Sequence, residues 1–447
     1  MGKSGVIRYQ LTATVVLFLF LHAGWTYAEE NTGAAPFTPP SWNLHFQTTF
    51  LPQYHGSFQA AYSGANSLSE NSELNMSFTA TLFLGLKVWE GGFLYADPEV
   101  PAGSGFSHVT GVADFPNAEI SKVGVESPTY NQARLYFQQV FGLGGEREKQ
   151  DDGQNQLATQ WDVSRLTVTL GKFSMNDFFD ANTYAHDARS QFINLALVDN
   201  LAWDYAADSH GYTLGAVVEL NQKDGAVRWG EALVSTVANG PDYDWNFSQA
   251  RSDNLELEWR YDPSGNPGKL RLLAYLNHAH MGSYQEALNV SPVNPDITQT
   301  RSYREKFGFG FSWEQVLNAD LGVFGRLGWN EGTDESWELS AVDQTLSLGV
   351  VLKGGGWSRP DDQAGLAVVL NGLSGVHQAY LAVGGLDFDI GDGALNYAPE
   401  EVAELYYLFK PLSPLGLTLD LQAINHPAYN QDRGPVGILA CRAHLEL

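Results

Sequence analysis

Residues 254–261 read NLELEWRY, and this short stretch indicates the fold class. Leu255, Leu257 and Trp259 alternate with polar residues, so an extended chain places apolar side chains on one face and charged or amide side chains on the other. A helix, with its period of about 3.6 residues, would scatter both kinds of side chain around its axis. We therefore predict an antiparallel β-strand with one apolar and one polar face.

The same two-residue period recurs in other segments along the chain. Four of them are 165–170, 307–314, 417–422 and 439–447. No helical repeat or linker separates these segments, although a soluble chain of 447 residues would normally divide into two or three domains. The pattern therefore predicts a single all-β domain.

Alternating strands fit two architectures, which differ in what the apolar face meets. In a soluble sandwich the apolar face meets the core, whereas in an outer-membrane barrel it meets lipid. The barrel is favoured because aromatic residues such as Trp313, Trp329 and Tyr407 lie at strand ends, and because the last residues form an amphipathic strand that suits a closed ring. At about 26 residues per strand and connection, we predict a transmembrane antiparallel β-barrel of 16 strands, with 18 as the alternative.

The amino-terminal residues predict export. Lys3 and Arg8 precede an apolar run that is too short to span a membrane as a helix, and small residues follow it. We therefore expect a secretory signal peptide at 1–28 and a single barrel domain at 29–447. Beyond the signal peptide, no run approaches the ~18 consecutive apolar residues of a membrane-spanning helix.

The composition excludes several classes of function. Asp and Glu number 51 against 25 for Lys and Arg, which gives a formal net charge of −26, whereas nucleic-acid binding depends on an excess of Lys and Arg. Cys441 is the only cysteine, so an internal disulfide and cysteine-based metal sites are excluded. The sequence lacks the common hydrolase, nucleotide-loop and zinc-protease motifs. We predict neither enzymatic activity, nor a cofactor or metal, nor a nucleic-acid partner.

Four long polar segments predict loops, and one of them has the composition of a sugar site. A sugar presents hydroxyl groups and flat C–H patches, so a pore that prefers sugars needs charged or amide groups beside aromatic rings. The segments are 97–130, 142–160, 172–210 and 281–303, and the third supplies both kinds of group. Its candidates are Lys172 and Arg189 as donors, Asp177, Asp180, Asp187 and Asp204 as acceptors, and Phe179, Tyr184, Trp203 and Tyr205 as planar surfaces.

Further candidates lie on the polar faces of the predicted strands. We expect them to face the same pore constriction, a narrowing made by inward-folded loops. They are Arg165 on the strand that enters the third segment, Arg134 and Arg228 on the opposite wall, and Glu256, Glu258 and Arg260 on one lumen face. Each candidate also has a structural interpretation, because polar residues in a water-filled barrel brace the wall and hold loops in place. Trp203 in particular fits a loop anchor as well as a sugar-stacking surface.

Three separated blocks of the sequence share an unusual arrangement of aromatic, amide and charged residues. The first lies at 42–68 and contains His45, Gln47, Thr49, Gln53, Phe58, Tyr62 and Asn66. The second lies at 171–208 and contains Gly171-Lys172-Phe173, Phe179-Asp180, Tyr184-Ala185-His186-Asp187 and Ala202-Trp203-Asp204-Tyr205. The third lies at 384–435 and contains Gly391-Asp392-Gly393, Asn396-Tyr397, Pro399-Glu400, Tyr429-Asn430 and Asp432-Arg433-Gly434-Pro435. These blocks resemble the signatures of the carbohydrate-selective porins of the OprB family.

The resemblance implies a function and a set of partners. A 16-stranded barrel in the outer membrane of a Gram-negative bacterium would pass mono- and oligosaccharides by diffusion, with loops folded inward to narrow the pore. The implied partners are the sugars, outer-membrane lipid and lipopolysaccharide, and the barrel assembly machinery, with the protein a monomer or a trimer. Two alternatives stay open: an outer-membrane barrel that exports or binds a polysaccharide, and a soluble secreted β-protein that binds or cleaves glycans.

Overall fold

The structure is a computed structural model that describes residues 40–120, 127–338 and 341–447. The predicted signal peptide at 1–28 lies outside these residues. Residues 40–447 form one compact unit, in which 16 strands pair side by side into a closed barrel and a separate two-stranded hairpin forms in one connection. The prediction of an all-β, 16-stranded antiparallel barrel is therefore confirmed.

The strands alternate in direction along the chain. Their bounds are β1 Trp42–His55, β2 Glu73–Trp89, β3 Gly92–Gly103, β4 Asn131–Gly142, β5 Arg147–Gln150, β6 Thr159–Asp162, β7 Arg165–Phe173, β8 Thr213–Gln222, β9 Gly225–Ala232, β10 Arg251–Tyr261, β11 Gly268–Ala279, β12 Arg304–Val316, β13 Leu321–Asn330, β14 Gln344–Lys353, β15 Gln363–Gly372, β16 Glu400–Leu412, β17 Leu415–Asn425 and β18 Val436–Glu446. Three short α-helices lie in the connections, namely α1 Leu195–Val198, α2 Tyr284–Val290 and α3 Gly375–Ala382. None of the helices in the described residues is long and apolar enough to cross a membrane.

The first and last strands close the ring. Strand β1 pairs antiparallel with β18, in a register that sets Phe50 opposite Ala443, so neither strand is left as a free edge. The predicted faces of the strands are also confirmed. On β10, Leu255 and Leu257 are 43% and 46% exposed on the outside of the barrel, whereas Glu256 between them is fully buried on the inside.

The two ends of the barrel differ in the length of their connections. One end, called here the long-loop end, carries long connections such as 174–212, 280–303 and 373–399. The other end, called here the short-turn end, carries turns as short as 223–224. The exception is 143–164, which joins β4 to β7 at the short-turn end and contains the β5–β6 hairpin.

The structure refines two of the loop predictions. The predicted loop 142–160 lies at the short-turn end, unlike the other three predicted loops, because an antiparallel chain that leaves β3 at the long-loop end must leave β4 at the other. The segment 97–130 begins too early, since β3 continues to Gly103 and its polar residues face the lumen. Alternation alone does not reveal either feature, because short polar strand ends resemble loops.

Candidate functional site

The connection 174–212 folds back into the barrel from the long-loop end. It packs on the inner wall through aromatic residues, and the ring of Phe192 meets Phe324 and Tyr406 edge to face at centroid distances of 5.6 and 4.8 Å. Glycine on the wall leaves room for it, because a β-carbon at Gly322 would lie only 2.1 Å from Cζ of Tyr184. The loop therefore fills the side of the lumen that is formed by β9 to β16.

Charged residues of the wall bind the backbone of loop 174–212. Arg326 donates to two carbonyl oxygens of the loop, each at 2.6 Å, and pairs with the carboxylate of Asp180 at 2.8 Å. Glu404 accepts from two consecutive loop amides, at 2.6 and 2.9 Å. Buried backbone groups are costly without partners, so these contacts fix the path of the loop.

The predicted row of charges on β10 exists, but it lies behind the loop. Arg228 pairs with Glu256 at 2.8 Å and with Glu258 at 3.3 Å, and Glu258 also accepts from Arg260 at 2.7 Å. Glu256 accepts from the backbone amide of Asp180 at 2.7 Å. Most of this network is buried between wall and loop, so it braces the loop and does not line open space.

Two further candidates are also buried. Trp203 is 1% exposed, and its indole Nε1 donates to Asn254 on β10 at 2.8 Å, which is the arrangement of a loop anchor. Asp204 pairs with Lys306 at 3.0 Å and accepts from backbone amides of the connection between β13 and β14. Neither side chain lines the cavity described below. The structure therefore does not bring Trp203 and Asp204 together with the candidates that line this cavity.

The candidates at the two ends of β7 lie apart. Arg165 is at the short-turn end of this strand and pairs with Glu148 of the β5–β6 hairpin at 2.7 Å, so the expectation that it points toward loop 174–212 is wrong. Strand β7 is nine residues long, and Arg165 is its first residue, at the end that is far from loop 174–212. Lys172 lies near the other end and pairs with Asp208 at 3.1 Å.

A cavity of about 560 Å³ lies on the opposite side of the lumen. Loop 174–212 forms one of its sides, and strands β18, β1, β2, β3 and β4 form the other together with residues 115–120 of the connection that follows β3. Of the predicted site residues, Arg134, Asp177, Asp187, Arg189 and Tyr205 line it. Its other polar lining residues are Gln47, Thr79, Glu99, Glu119, Gln154, Asn155, Ser174, Asn176, His186, Asp199, Ser209, His210, Tyr212, His444 and Glu446.

Arg189 crosses the cavity from the loop to the wall. Its Nε donates to Glu119 at 2.7 Å and one terminal nitrogen donates to Glu99 at 3.0 Å. Thr81 supports the same carboxylate of Glu99 at 2.8 Å. The guanidinium is thus held in one position between two carboxylates, with 15% of the side chain exposed to the cavity.

Arg134 reaches across from β4 in the opposite direction. It binds both carboxylate oxygens of Asp177, at 2.7 and 2.6 Å, and Asp97 at 3.4 Å. Asp177 is oriented by a capping box, in which its carboxylate accepts from the backbone amide of Ser174 at 3.0 Å. The ring of Tyr212 lies 5.4 Å from the Arg134 guanidinium carbon and is one of the aromatic side chains that line the cavity.

Burial and hydrogen bonding shift the acidity of the loop carboxylates in opposite directions. Burial raises the pKa of Asp199, although Asn176 donates to it. Burial would also raise the pKa of Asp187, but hydrogen bonds from Ser190 and from the backbone amide of Arg189 lower it overall. The cavity therefore contains carboxylates that become protonated at different pH values.

Several cavity residues were not predicted from the sequence. Glu119 was counted only as part of a polar segment, and Glu99 was assigned to the same segment although it lies on the lumen face of β3. Their contacts with Arg189 span 70 and 90 residues of sequence, so no local pattern links them. The alternation of β3 was the one signal that could have indicated Glu99.

The arrangement suits a neutral, hydroxyl-rich solute. Fixed guanidinium and carboxylate groups on facing sides of the cavity can donate and accept hydrogen bonds, and the aromatic ring of Tyr212 lies in its lining. No group of three or more His, Cys, Asp or Glu residues with the geometry of a metal site occurs within 40–120, 127–338 and 341–447.

Comparisons with known proteins agree with the architecture. The sequence model of the family described as "Carbohydrate-selective porin, OprB family" matches residues 65–447. A search of curated protein sequences finds no match.

Solved structures with a similar fold include Pseudomonas putida OprB. Its high-pH structure is 17% identical over 91% of this chain and 94% of that chain, with a TM-score of 0.69, which shows a shared fold. The low-pH structure of the same protein is 14% identical over 91% and 93%, with a TM-score of 0.48. The outer membrane channel DcaP of Acinetobacter baumannii is 10% identical over 91% and 97%, with a TM-score of 0.49.

Proposed function

Since the chain belongs to the carbohydrate-selective porins of the OprB family, we propose that mono- and oligosaccharides diffuse through the cavity between loop 174–212 and strands β18 to β4. The protein is a porin of the Gram-negative outer membrane and not an enzyme. The observation that carries the proposal is the pair of arginines, Arg134 and Arg189, held by carboxylates on facing sides of the cavity beside loop 174–212.

The charge pairing explains how a sugar is held weakly. Carboxylates already neutralise each guanidinium. A sugar hydroxyl group that binds there therefore replaces a water molecule and does not gain the contact of an unpaired charge. Affinity must remain near millimolar, or ~4 kcal/mol, so that the solute leaves as readily as it enters. Tyr212 adds C–H contacts without adding charge.

The remaining candidates support this path indirectly. We propose that Asp180, Trp203, Asp204, Arg228, Glu256, Glu258 and Arg260 hold loop 174–212 and that Arg134, Asp177, Asp187 and Arg189 meet the solute. Lys172 helps to hold the end of the loop through Asp208. We also propose that residues 1–28 direct export. Contact with lipopolysaccharide, insertion by the barrel assembly machinery and a monomeric or trimeric state stay predictions.

The test is ion current through the purified protein in a planar lipid bilayer while sugar is titrated. We expect single channels whose current falls as a neutral hexose or a neutral oligosaccharide is added. Arg189→Ala and Arg134→Ala should each raise the half-blocking sugar concentration several-fold, because a hydrogen-bonding group is lost from the path. Arg251→Ala is the matched control, since Arg251 lies on the outer side of the alternating strand β10 and pairs with Asp253. Channels that no sugar blocks would refute the proposal.

A further inference from the structure

The connection 143–164 enters the lumen from the end opposite to loop 174–212. Its β5–β6 hairpin carries a tip at 151–156 that contacts the inner faces of the first strands. Asn43 on β1 donates to the side chain of Asp152 at 2.8 Å and to the carbonyl oxygen of Gln156 at 2.9 Å. Gln154 donates to Gln47 on β1 at 3.0 Å.

The hairpin is packed and not merely tethered. Leu157 is 2% exposed, and a β-carbon at Gly85 on β2 would lie 2.4 Å from its Cδ1, so the wall leaves space for this side chain. Trp161 meets Phe93 edge to face, with ring centroids 5.2 Å apart. The sequence therefore supplies both the apolar contacts and the wall glycine that seat the hairpin inside the barrel.

The tip is linked to the charged groups of the cavity. Asn155 donates to Asp97 at 2.9 Å, and Asp97 in turn accepts from Arg134 at 3.4 Å. Arg134 binds Asp177 of the opposite loop. A continuous chain of polar contacts thus runs from the hairpin through the wall to loop 174–212, and Gln154 and Asn155 themselves line the cavity.

We propose that the hairpin is a second specificity-determining element of the pore, in which Gln154 and Asn155 contact the passing sugar and Asn155 also positions Arg134. The inference rests on the proposed function. The amide groups both donate and accept hydrogen bonds, which suits sugar hydroxyls and adds no charge. The sugar path is then narrowed from both ends, and the short-turn end is the periplasmic one in barrels of this kind.

Truncation of the tip tests the contact. We expect Gln154→Ala and Asn155→Ala to raise the half-blocking sugar concentration several-fold, while open-channel conductance stays equal or rises. The matched control is Gln160→Ala, which removes an exposed amide on the same hairpin that does not line the cavity. If both tip variants behave like Gln160→Ala while the wild type is blocked by sugar, the inference is wrong and the proposed function stands.

The positioning role of Asn155 has a separate readout. If Asn155 acts through Arg134, most of the effect of Asn155→Ala disappears in an Arg134→Ala background, whereas the effect of Gln154→Ala persists. Asn155→Asp should raise the half-blocking concentration more than Asn155→Ala, because it sets a second carboxylate beside Asp97. Fully additive effects of Asn155→Ala and Arg134→Ala would refute the positioning role.

Cysteine labelling tests the location of the tip without sugar. Cys441 is the only cysteine, so Cys441→Ser gives a background for single labels. In this background, a positively charged thiol reagent should lower the current through Gln154→Cys channels, and added sugar should slow that reaction. The same reagent should leave Gln160→Cys channels unchanged. An unchanged current in Gln154→Cys channels would place the tip outside the path and refute the inference, whether or not sugar blocks the wild type.

Discussion

At the scale of single residues, the lumen arginines have two different roles. Arg189 reaches into the cavity between two carboxylates, whereas Arg326 is 1% exposed and binds loop carbonyl oxygens. Both are guanidinium groups inside the same barrel, so residue type does not separate a group that lines the cavity from one that holds a loop. The two arginines differ in how far their side chains are buried and in the acceptors to which they donate hydrogen bonds.

Trp203 is the clearest test of this distinction. Trp203→Ala removes a buried ring that packs against Phe179 and leaves Asn254 without its indole donor. We expect a loss of about 3–5 kcal/mol in the free energy of unfolding, measured by urea unfolding in detergent. Trp203→Phe retains the ring contact and should lose only about 1 kcal/mol. A Trp203→Ala protein of normal stability with weakened sugar block would instead identify Trp203 as a sugar contact.

At the scale of elements, the barrel wall and loop 174–212 stabilise each other. Arg326→Met would leave the carboxylate of Asp180 buried without its ion-pair partner, at a cost of about 3–5 kcal/mol. We expect larger fluctuations of the open-channel current and a lower temperature for the electrophoretic shift of the folded band. Arg251→Met on the outer side of β10 is the control. If the open-channel current fluctuates no more in Arg326→Met than in Arg251→Met, Arg326 does not stabilise the loop.

The loops at the long-loop end share a buried imidazole that predicts a pH dependence. His377 on α3 lies between Asp343 at 3.0 Å and Asp387 at 2.6 Å and stacks on Tyr284 at a centroid distance of 4.2 Å. Burial disfavours the imidazolium, but the two carboxylates outweigh it and raise the pKa of His377 from 6.5 to about 9. The stabilisation is therefore complete below pH 6.5 and is lost as the pH rises through about 9.

This loss should be on the order of 3 kcal/mol for the wild type. Urea unfolding at pH values between 6 and 10 measures it. His377→Gln should be less stable at neutral pH and should show no corresponding change between pH 6.5 and 9. A wild-type profile that is flat over this range, or one that rises, would contradict the prediction.

At the scale of the whole molecule, the acidic composition extends into the pore. Six carboxylates line the cavity against two guanidinium groups, in a chain whose formal net charge is −26. The carboxylates are Glu99, Glu119, Asp177, Asp187, Asp199 and Glu446, and the guanidinium groups are Arg134 and Arg189. A narrow channel with an excess of fixed negative charge attracts small cations and repels small anions.

We expect the reversal potential in a potassium chloride gradient to indicate cation selectivity. The selectivity should weaken in 1 M salt, where the screening length falls to ~3 Å. It should also weaken on acidification, beginning with Asp199, whose pKa is raised by burial. Glu119→Gln should reduce the selectivity, whereas Glu90→Gln, whose side chain is 91% exposed, should not. Anion selectivity in the wild type would refute the prediction.

The sequence by itself determined the barrel. Alternation on β10 and on the other strands is a local property with a period of two residues, and burial of Glu256 between exposed Leu255 and Leu257 follows from it directly. The strand count followed from length, and the family followed from three blocks of the sequence. The composition of 172–210 also identified the loop that enters the lumen, together with Asp177, Asp187, Arg189 and Tyr205 of the cavity.

Only the tertiary structure decided which lumen groups line the cavity. The contact between Asp180 and Arg326 spans 146 residues of sequence and that between Arg189 and Glu99 spans 90, so their partners depend on how the loop seats in the closed ring. The polarity of 142–160 likewise did not specify the end of the barrel at which this connection lies. Side-chain period is set within a few residues, whereas burial of a charge is set by whatever the whole fold packs against it.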